Sequence, residues 1–339
     1  MTSGPALESA QQQIARLREC YHALHTEMSR IVVGQEEVLR LLITGLMSGG
    51  HMLVIGVPGL AKTMMVKALA DLLGWEFRRI QFTPDLMPAD ITGTEILQSD
   101  ETGARRALVF HQGPIFANLI LADEINRTPP KTQAALLEAM QELAVTVNGK
   151  TYPFEPPFVV VATQNPIEQE GTYPLPEAQL DRFMLSIHID YPPTAAELAI
   201  AARPARMKIA GLKPVAQRAE FCQFIDVVDQ VPVAPHVLAY AVGLTSASRP
   251  KSEQATDFVK QFVAWGAGPR ATQHLVTAAR AAALLDGRPA PEVADIQRLA
   301  VAVLRHRIIP NYNALAEGLD AGAIVQQLLE TVGEPAVAV

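Results

Sequence analysis

Apolar side chains in the first half of the chain come in short unbroken runs, separated by stretches with helical spacing. The runs are residues 51–55, 77–81, 118–122, 158–162 and 184–189. Several are apolar at nearly every position, as strands covered on both faces must be. Between them, residues 62–73 and 131–141 carry helical periods. Alternation of strand and helix predicts an α/β fold, a parallel sheet layered by helices. Two insertions break the rhythm. Asn148-Gly149, between the β-prone arms of residues 145–152, predicts a two-residue hairpin turn. Residues 91–110 read as a second hairpin around Asp100–Gly103. After Tyr191-Pro192-Pro193 the strand-like runs stop, and helical periods dominate residues 216–332. Residues 247–266, which include Pro250 and Lys251, predict a loop with a short helix. The expected organisation is an N-terminal helix (1–30), a sheet-bearing core (31–195) and a smaller all-helical unit (196–339).

Composition narrows the class. The chain has 339 residues, with 49% apolar and 19% charged side chains, which excludes a disordered, charge-swollen polymer. A net charge of −7 argues against a dedicated nucleic-acid binder. Cys20 and Cys222 cannot by themselves form a disulfide framework or a four-ligand zinc site, and read as reduced thiols. The polar start lacks the apolar stretch of a signal peptide, and no run is long enough to span a membrane. The expected location is the cytoplasm.

The first strand runs into Gly56-Val57-Pro58-Gly59-Leu60-Ala61-Lys62-Thr63. This matches the Walker A pattern G-x-x-x-x-G-K-[ST], with Ala61 in place of the last glycine. A turn of small residues lets backbone N–H groups approach phosphates, and the helix that follows offers its positive N-terminus. Lys62 can reach the β- and γ-phosphates, and Thr63 can coordinate Mg²⁺. Asp123-Glu124 closes another apolar strand, where a Walker B site belongs. Asp123 would hold Mg²⁺ through water. Glu124 would polarise an attacking water, which makes a hydrolase rather than a nucleotide clamp. The plain alternative is a strand end with solvated acids. Thr163-Gln164-Asn165 ends the next strand, which such a sheet places between the other two sites. The Asn165 amide could orient water at the γ-phosphate, or Asn165-Pro166 could be an ordinary turn.

With these motifs in hand, the sequence resembles an AAA+ ATPase, and more narrowly the MoxR family. The stretches that carry the resemblance are Val33-Gly34-Gln35-Glu36, the loop at 56–63, Ala122-Asp-Glu-Ile-Asn-Arg127, Thr163-Gln-Asn-Pro166 and Leu175-Pro-Glu-Ala-Gln-Leu-Asp-Arg-Phe183. Gly268-Pro-Arg-Ala271 and His306-Arg307 match as well, so the likeness covers roughly residues 30–310. Ala61 is what this family carries in its Walker A. The resemblance implies a P-loop (AAA+) core with β-hairpin insertions and a helical lid. It implies that Arg182 acts as an arginine finger on the neighbouring subunit's γ-phosphate, and that Arg270 is the lid arginine called sensor 2, which contacts the nucleotide from the same chain. Otherwise Arg182 pairs with Asp181, and Arg270 is a helix-start residue. Val32, Val33 and Gln35 would lie near the adenine. The implied nucleotide-binding set is Val33, Gly34, Gln35, residues 56–63 with Met64, and Asp123. Arg127 has no assigned role. Arg105 and Arg106, near the first hairpin tip, could touch an acidic partner or form a solvated turn. His111, His188 and His274 stand in apolar stretches without metal-ligand spacing and are expected to be structural.

The family likeness implies ATP and Mg²⁺ as ligands, assembly as a hexameric ring, and chaperone-like work on client proteins, including metal or cofactor insertion. The implied partner carries a von Willebrand factor A domain. Other readings are a metal-chelatase motor subunit, a nucleic-acid remodeller and a non-hydrolysing scaffold. The acidic charge weighs against the nucleic-acid reading, and the presence of Glu124, Asn165 and Arg182 weighs against the scaffold.

Overall fold

The computed structural model describes residues 4–99, 106–168, 170–203 and 211–333. Helices α1 (Gly4–Ile31) and α2 (Glu36–Met47) lead into strand β1 (Met52–Gly56) and helix α3 (Lys62–Leu73). Then come β2 (Phe77–Gln81), α4 (Pro88–Thr92), the antiparallel pair β3 (Gly93–Ser99) and β4 (Arg106–Gln112), and β5 (Leu119–Asp123). Helix α5 (Pro130–Glu142), the hairpin β6 (Ala144–Val147)–β7 (Lys150–Pro153), β8 (Val159–Gln164), α6 (Glu177–Leu180) and β9 (Leu185–Ile189) complete the sheet-bearing part.

Five parallel strands stand in the order β2-β5-β8-β1-β9. Every residue of β5 and the first five of β8 are buried, because helices cover both faces. Leu119, Leu121, Val159 and Val161 pack towards α1–α3; Ile120, Ala122, Val160 and Ala162 pack towards α5. Each of the leucine, isoleucine and valine side chains among them contributes about 1.5–3 kcal/mol by leaving water.

Both predicted hairpins are present. At β6–β7, Asn148 (φ 48°) and Gly149 (φ 80°) supply the two positive φ angles a type I′ turn needs. The β3–β4 hairpin springs from Gly93, whose φ is 95° and where a Cβ would sit 2.3 Å from the His111 carbonyl oxygen. The predicted tip at Asp100–Gly103, with Arg105, lies outside the described residues, as does the side chain of Arg106.

The second part holds α7 (Thr194–Ala201), α8 (Arg218–Gln230), α9 (Pro235–Ala247), α10 (Asp257–Phe262), α11 (Pro269–Leu285), α12 (Val293–Leu304), α13 (Tyr312–Ala316) and α14 (Ala321–Thr331). The expected loop with a short helix is residues 248–256 followed by α10. A two-stranded ribbon, β10 (Val263–Trp265) with β11 (Ile309–Pro310), adds a small sheet to these helices. Apolar side chains of α1, α2, α8, α11 and α12 join one continuous core with the sheet. No single described helix is long and apolar enough to cross a membrane.

His51, just before β1, ties the sheet to α5. Its Nδ1 accepts from the Val160 N–H at 3.0 Å, so the proton sits on Nε2, 3.2 Å from the Met140 carbonyl of α5. Burial lowers its pKa from 6.5 to about 4. A folded value below the unfolded one means stability that is complete above the unfolded pKa and is lost as pH falls towards the folded one. Urea unfolding should therefore show up to about 3 kcal/mol of acid-sensitive stability between pH 6.5 and 4 from this ring. His51→Gln should flatten that slope, and an unchanged slope would reject the assignment.

Candidate nucleotide-binding and hydrolysis site

The sheet order puts the sequence-predicted residues at one edge. β8 lies between β5 and β1, so the ends of all three strands face the same loop. Gly56 closes β1 opposite Ile189; a Cβ there would meet the Ile189 carbonyl oxygen at 2.8 Å. Beyond it, Gly59 (φ 89°) has open space around its α-carbon. Ala61 caps α3 in the left-handed region at φ 58°, a conformation that costs an L-residue about 1–2 kcal/mol. Val57, Pro58 and Leu60 form the rest of the turn, and Thr63 and the half-exposed Met64 follow in the first turn of α3.

Lys62 folds back over this turn. Its Nζ donates to the Gly56 carbonyl and, at 3.3 Å, to that of Val57. Burial pushes the ammonium pKa down, while Asp123 and Glu124 pull it up. Lys62 therefore sits in the field of the acidic pair.

Asp123 ends β5 and is buried. Thr163 of β8 links the pair: its hydroxyl donates to Asp123 Oδ1 at 2.6 Å and accepts from the Glu124 N–H at 2.9 Å. Glu124 itself is left-handed (φ 58°, ψ 50°), an uncommon conformation for a non-glycine and one that gathers at functional positions. Its Oε2 accepts from Gln81 Nε2 at 2.9 Å and from Arg127 Nη1 at 3.1 Å. Arg127 also pairs with Glu168 at 3.2 Å, so it clamps the acid within its own chain. Asn165 is buried beside them, its Oδ1 accepting from the Ile167 N–H at 3.2 Å.

The segment Val33-Gly34-Gln35 lies against the exit of β9. Gln35 Nε2 donates to the Asp190 carbonyl at 2.9 Å. Gly34 (φ 74°) passes so close to α7 that a Cβ would stand 2.5 Å from the Cβ of Ala196. Since Ile189 pairs with Gly56, this segment flanks the phosphate loop.

The arginines fall into two groups. Asp181 is not the partner of Arg182: it accepts from Arg270 at 3.2 Å and from Arg307 Nε at 2.8 Å. Arg307 is 2% exposed and also donates to the Asp181 and Phe183 carbonyls at 3.0 and 2.6 Å and to His274 Nδ1 at 2.7 Å. Next to it, His306 contacts the Phe183 carbonyl at 3.0 Å. These contacts bind α11 and α12 to the residues 181–183. Arg182 turns the other way and donates to the Leu137 carbonyl of α5. Of the three histidines expected to be structural, His274 is held in the Arg307 network, whereas His111 on β4 and His188 on β9 are exposed.

Sequence reading missed Arg79, Gln81 and the bridging role of Thr163. Polar side chains along β2 were the available signal, but their use depends on β2 lying beside β5.

Comparison with known proteins agrees with this arrangement. Residues 51–185 match the ATPase family associated with various cellular activities (AAA), and residues 256–328 match the AAA lid domain. The chain is 41% identical to Chaperone MoxR1 of Mycobacterium tuberculosis, over 92% of this chain and 81% of that protein. It is 31% identical to Protein MoxR of Paracoccus denitrificans, over 95% of this chain and 97% of that protein. The crystal structure of a candidate ATPase from Cytophaga hutchinsonii superposes with a TM-score of 0.90 at 39% identity, covering 98% of this chain and 100% of that one. A phosphate loop on β1, an acidic pair on β5 and near-full-length likeness to these proteins lead to one conclusion: the chain belongs to the MoxR family of AAA+ ATPases.

Proposed function

We propose that this chain hydrolyses ATP with Mg²⁺ as one subunit of a ring, a hexamer, and passes the resulting motion to partner proteins. One observation carries the chemistry. Asp123 and Glu124 leave a buried strand that is separated from the strand of the phosphate loop by β8 alone, with the Thr163 hydroxyl of β8 joining them. Backbone N–H groups of residues 59–62 and the Lys62 ammonium would hold the phosphates. The oxygen donors Thr63 and Asp123 suit a hard cation such as Mg²⁺, which usually takes one or two protein oxygens and keeps its waters. Bound there, Mg²⁺ would neutralise charge on the phosphate oxygens. Glu124 would accept the proton of the attacking water, so that water oxygen bonds to the γ-phosphorus as the bond to the β-phosphate oxygen breaks, giving ADP and phosphate. Asn165 would orient that water, and Val33, Gly34 and Gln35 would border the adenine.

The placement of the arginines supports the ring. Arg182 reaches α5, on the face of the sheet opposite α3 and the phosphate loop. An arginine so placed serves a neighbour's site more readily than its own. Arg270, tied to Asp181, would report nucleotide state from the lid. We take 31–195 as the moving core, 196–339 as the lid, and 1–30 as a helix against both. The relative named a chaperone supports client remodelling; metal or cofactor insertion, with a partner bearing a von Willebrand factor A domain, is the finer reading that the sequence resemblance implies. A cytoplasmic site of action, where ATP and Mg²⁺ are supplied, goes with this reading.

Lys62→Ala tests the phosphate site. Loss of the single ammonium facing the phosphates should weaken binding of a fluorescent ADP analogue by about tenfold or more. Unchanged affinity, with an intact circular dichroism spectrum, would remove Lys62 from the site.

A further inference from the structure

Asp123 already has a cation. Arg79, on the neighbouring strand β2, brings Nε to 2.9 Å and Nη2 to 2.6 Å from Asp123 Oδ2. Thr163 holds the other oxygen at 2.6 Å, so both carboxylate oxygens are engaged. The register explains the reach. Arg79 lies opposite Leu121, and its side chain therefore shares a sheet face with Asp123 two positions on. That is the face against which α3 packs. The Asp123 side chain is 10% exposed and that of Arg79 48%, so the acid is fixed while the guanidinium has solvent to move into.

We infer that Arg79 is a stand-in cation: it holds Asp123 while no divalent ion is bound, gives up Oδ2 when one arrives, and thereby sets the metal affinity of the site. This rests on the proposed role of Asp123 towards Mg²⁺. A carboxylate this buried is costly without a positive partner, and among the described residues Arg79 is the cation within hydrogen-bond reach. A hydrated divalent ion needs the same oxygen, and two cations on one oxygen repel. Only the fraction of molecules in which Arg79 has let go is competent for the ion, and apparent affinity falls by that fraction. Gln81 keeps Arg79 ready nearby: its Oε1 accepts from Arg79 Nη2.

The test counts bound metal rather than turnover. The full chain with saturating ADP is titrated with Mn²⁺, and free Mn²⁺ is read by electron paramagnetic resonance. Arg79→Ala and Arg79→Gln should each tighten Mn²⁺ binding by about tenfold, with ADP affinity in EDTA unchanged. If Arg79 is instead a permanent support that positions Asp123, both variants bind Mn²⁺ more weakly. Equal or weaker binding overturns the inference. Arg79→Gln keeps a hydrogen-bonding side chain and serves if the alanine variant fails to fold. Asp123→Asn separates the two levels. Should Mn²⁺ bind as tightly after that change as before it, the metal assignment itself is wrong. Should binding weaken while the Arg79 variants gain nothing, only the stand-in role fails.

Discussion

Arg182→Ala is expected to bind ATP nearly as well as the native chain and to turn it over about 10³-fold more slowly, about 4 kcal/mol of lost transition-state stabilisation. Binding should survive because the phosphate loop, Lys62 and the metal-facing oxygens come from one chain. Turnover should fall because, in the proposed ring, the guanidinium that stabilises charge at the breaking bond would come from the next chain. Arg182→Ala protein mixed with Lys62→Ala protein gives interfaces with an intact pocket on one side and an intact finger on the other, and these should recover part of the activity. The competing view keeps Arg182 on the Leu137 carbonyl of its own chain and predicts no recovery at any ratio. Subunit exchange, followed by energy transfer between labelled chains, must be established first. Specific activity should also rise with concentration. A flat profile from nanomolar to micromolar, in a chain that stays monomeric throughout, would sink the ring.

Glu124→Gln should bind ATP and hydrolyse it at least about 10²-fold more slowly, the usual loss when a catalytic base is removed. The amide matches the carboxylate in size and leaves the Thr163 contact to the backbone N–H untouched. It cannot take a proton from water. Single-turnover phosphate release measures the chemical step and nucleotide retention measures binding. Normal release would make Glu124 one of the solvated strand-end acids allowed by the sequence. A variant that loads ATP and stalls is also the bait of choice for capturing the partner.

The one-dimensional pattern of this chain was enough for all five sheet strands, for helix Lys62–Leu73 at both ends, and for the Asn148-Gly149 turn. Each is a local matter: burial on two faces demands unbroken apolar runs, and a type I′ turn demands residues that tolerate positive φ. The phosphate loop was legible for the same reason, since its chemistry lies within eight consecutive residues, 56–63. What surrounds that loop was not. Periodicity says which face of a strand is buried, but not which strand lies beside it; that depends on the crossovers. β2 therefore delivers Arg79 to Asp123 and Gln81 to Glu124 only because it lies next to β5. Asp181 illustrates the same limit. Its adjacent arginine suggested a pair, yet it binds Arg270 and Arg307, 89 and 126 residues away, because the lid helices α11 and α12 close over it. The two hairpins, separate insertions in sequence, meet through stacked Phe110 and Tyr152, 4.0 Å between ring centres, and through Asn148 donating to Glu95 at 2.8 Å. Contacts of this kind depend on how the elements pack, and chain spacing carries no signal for them.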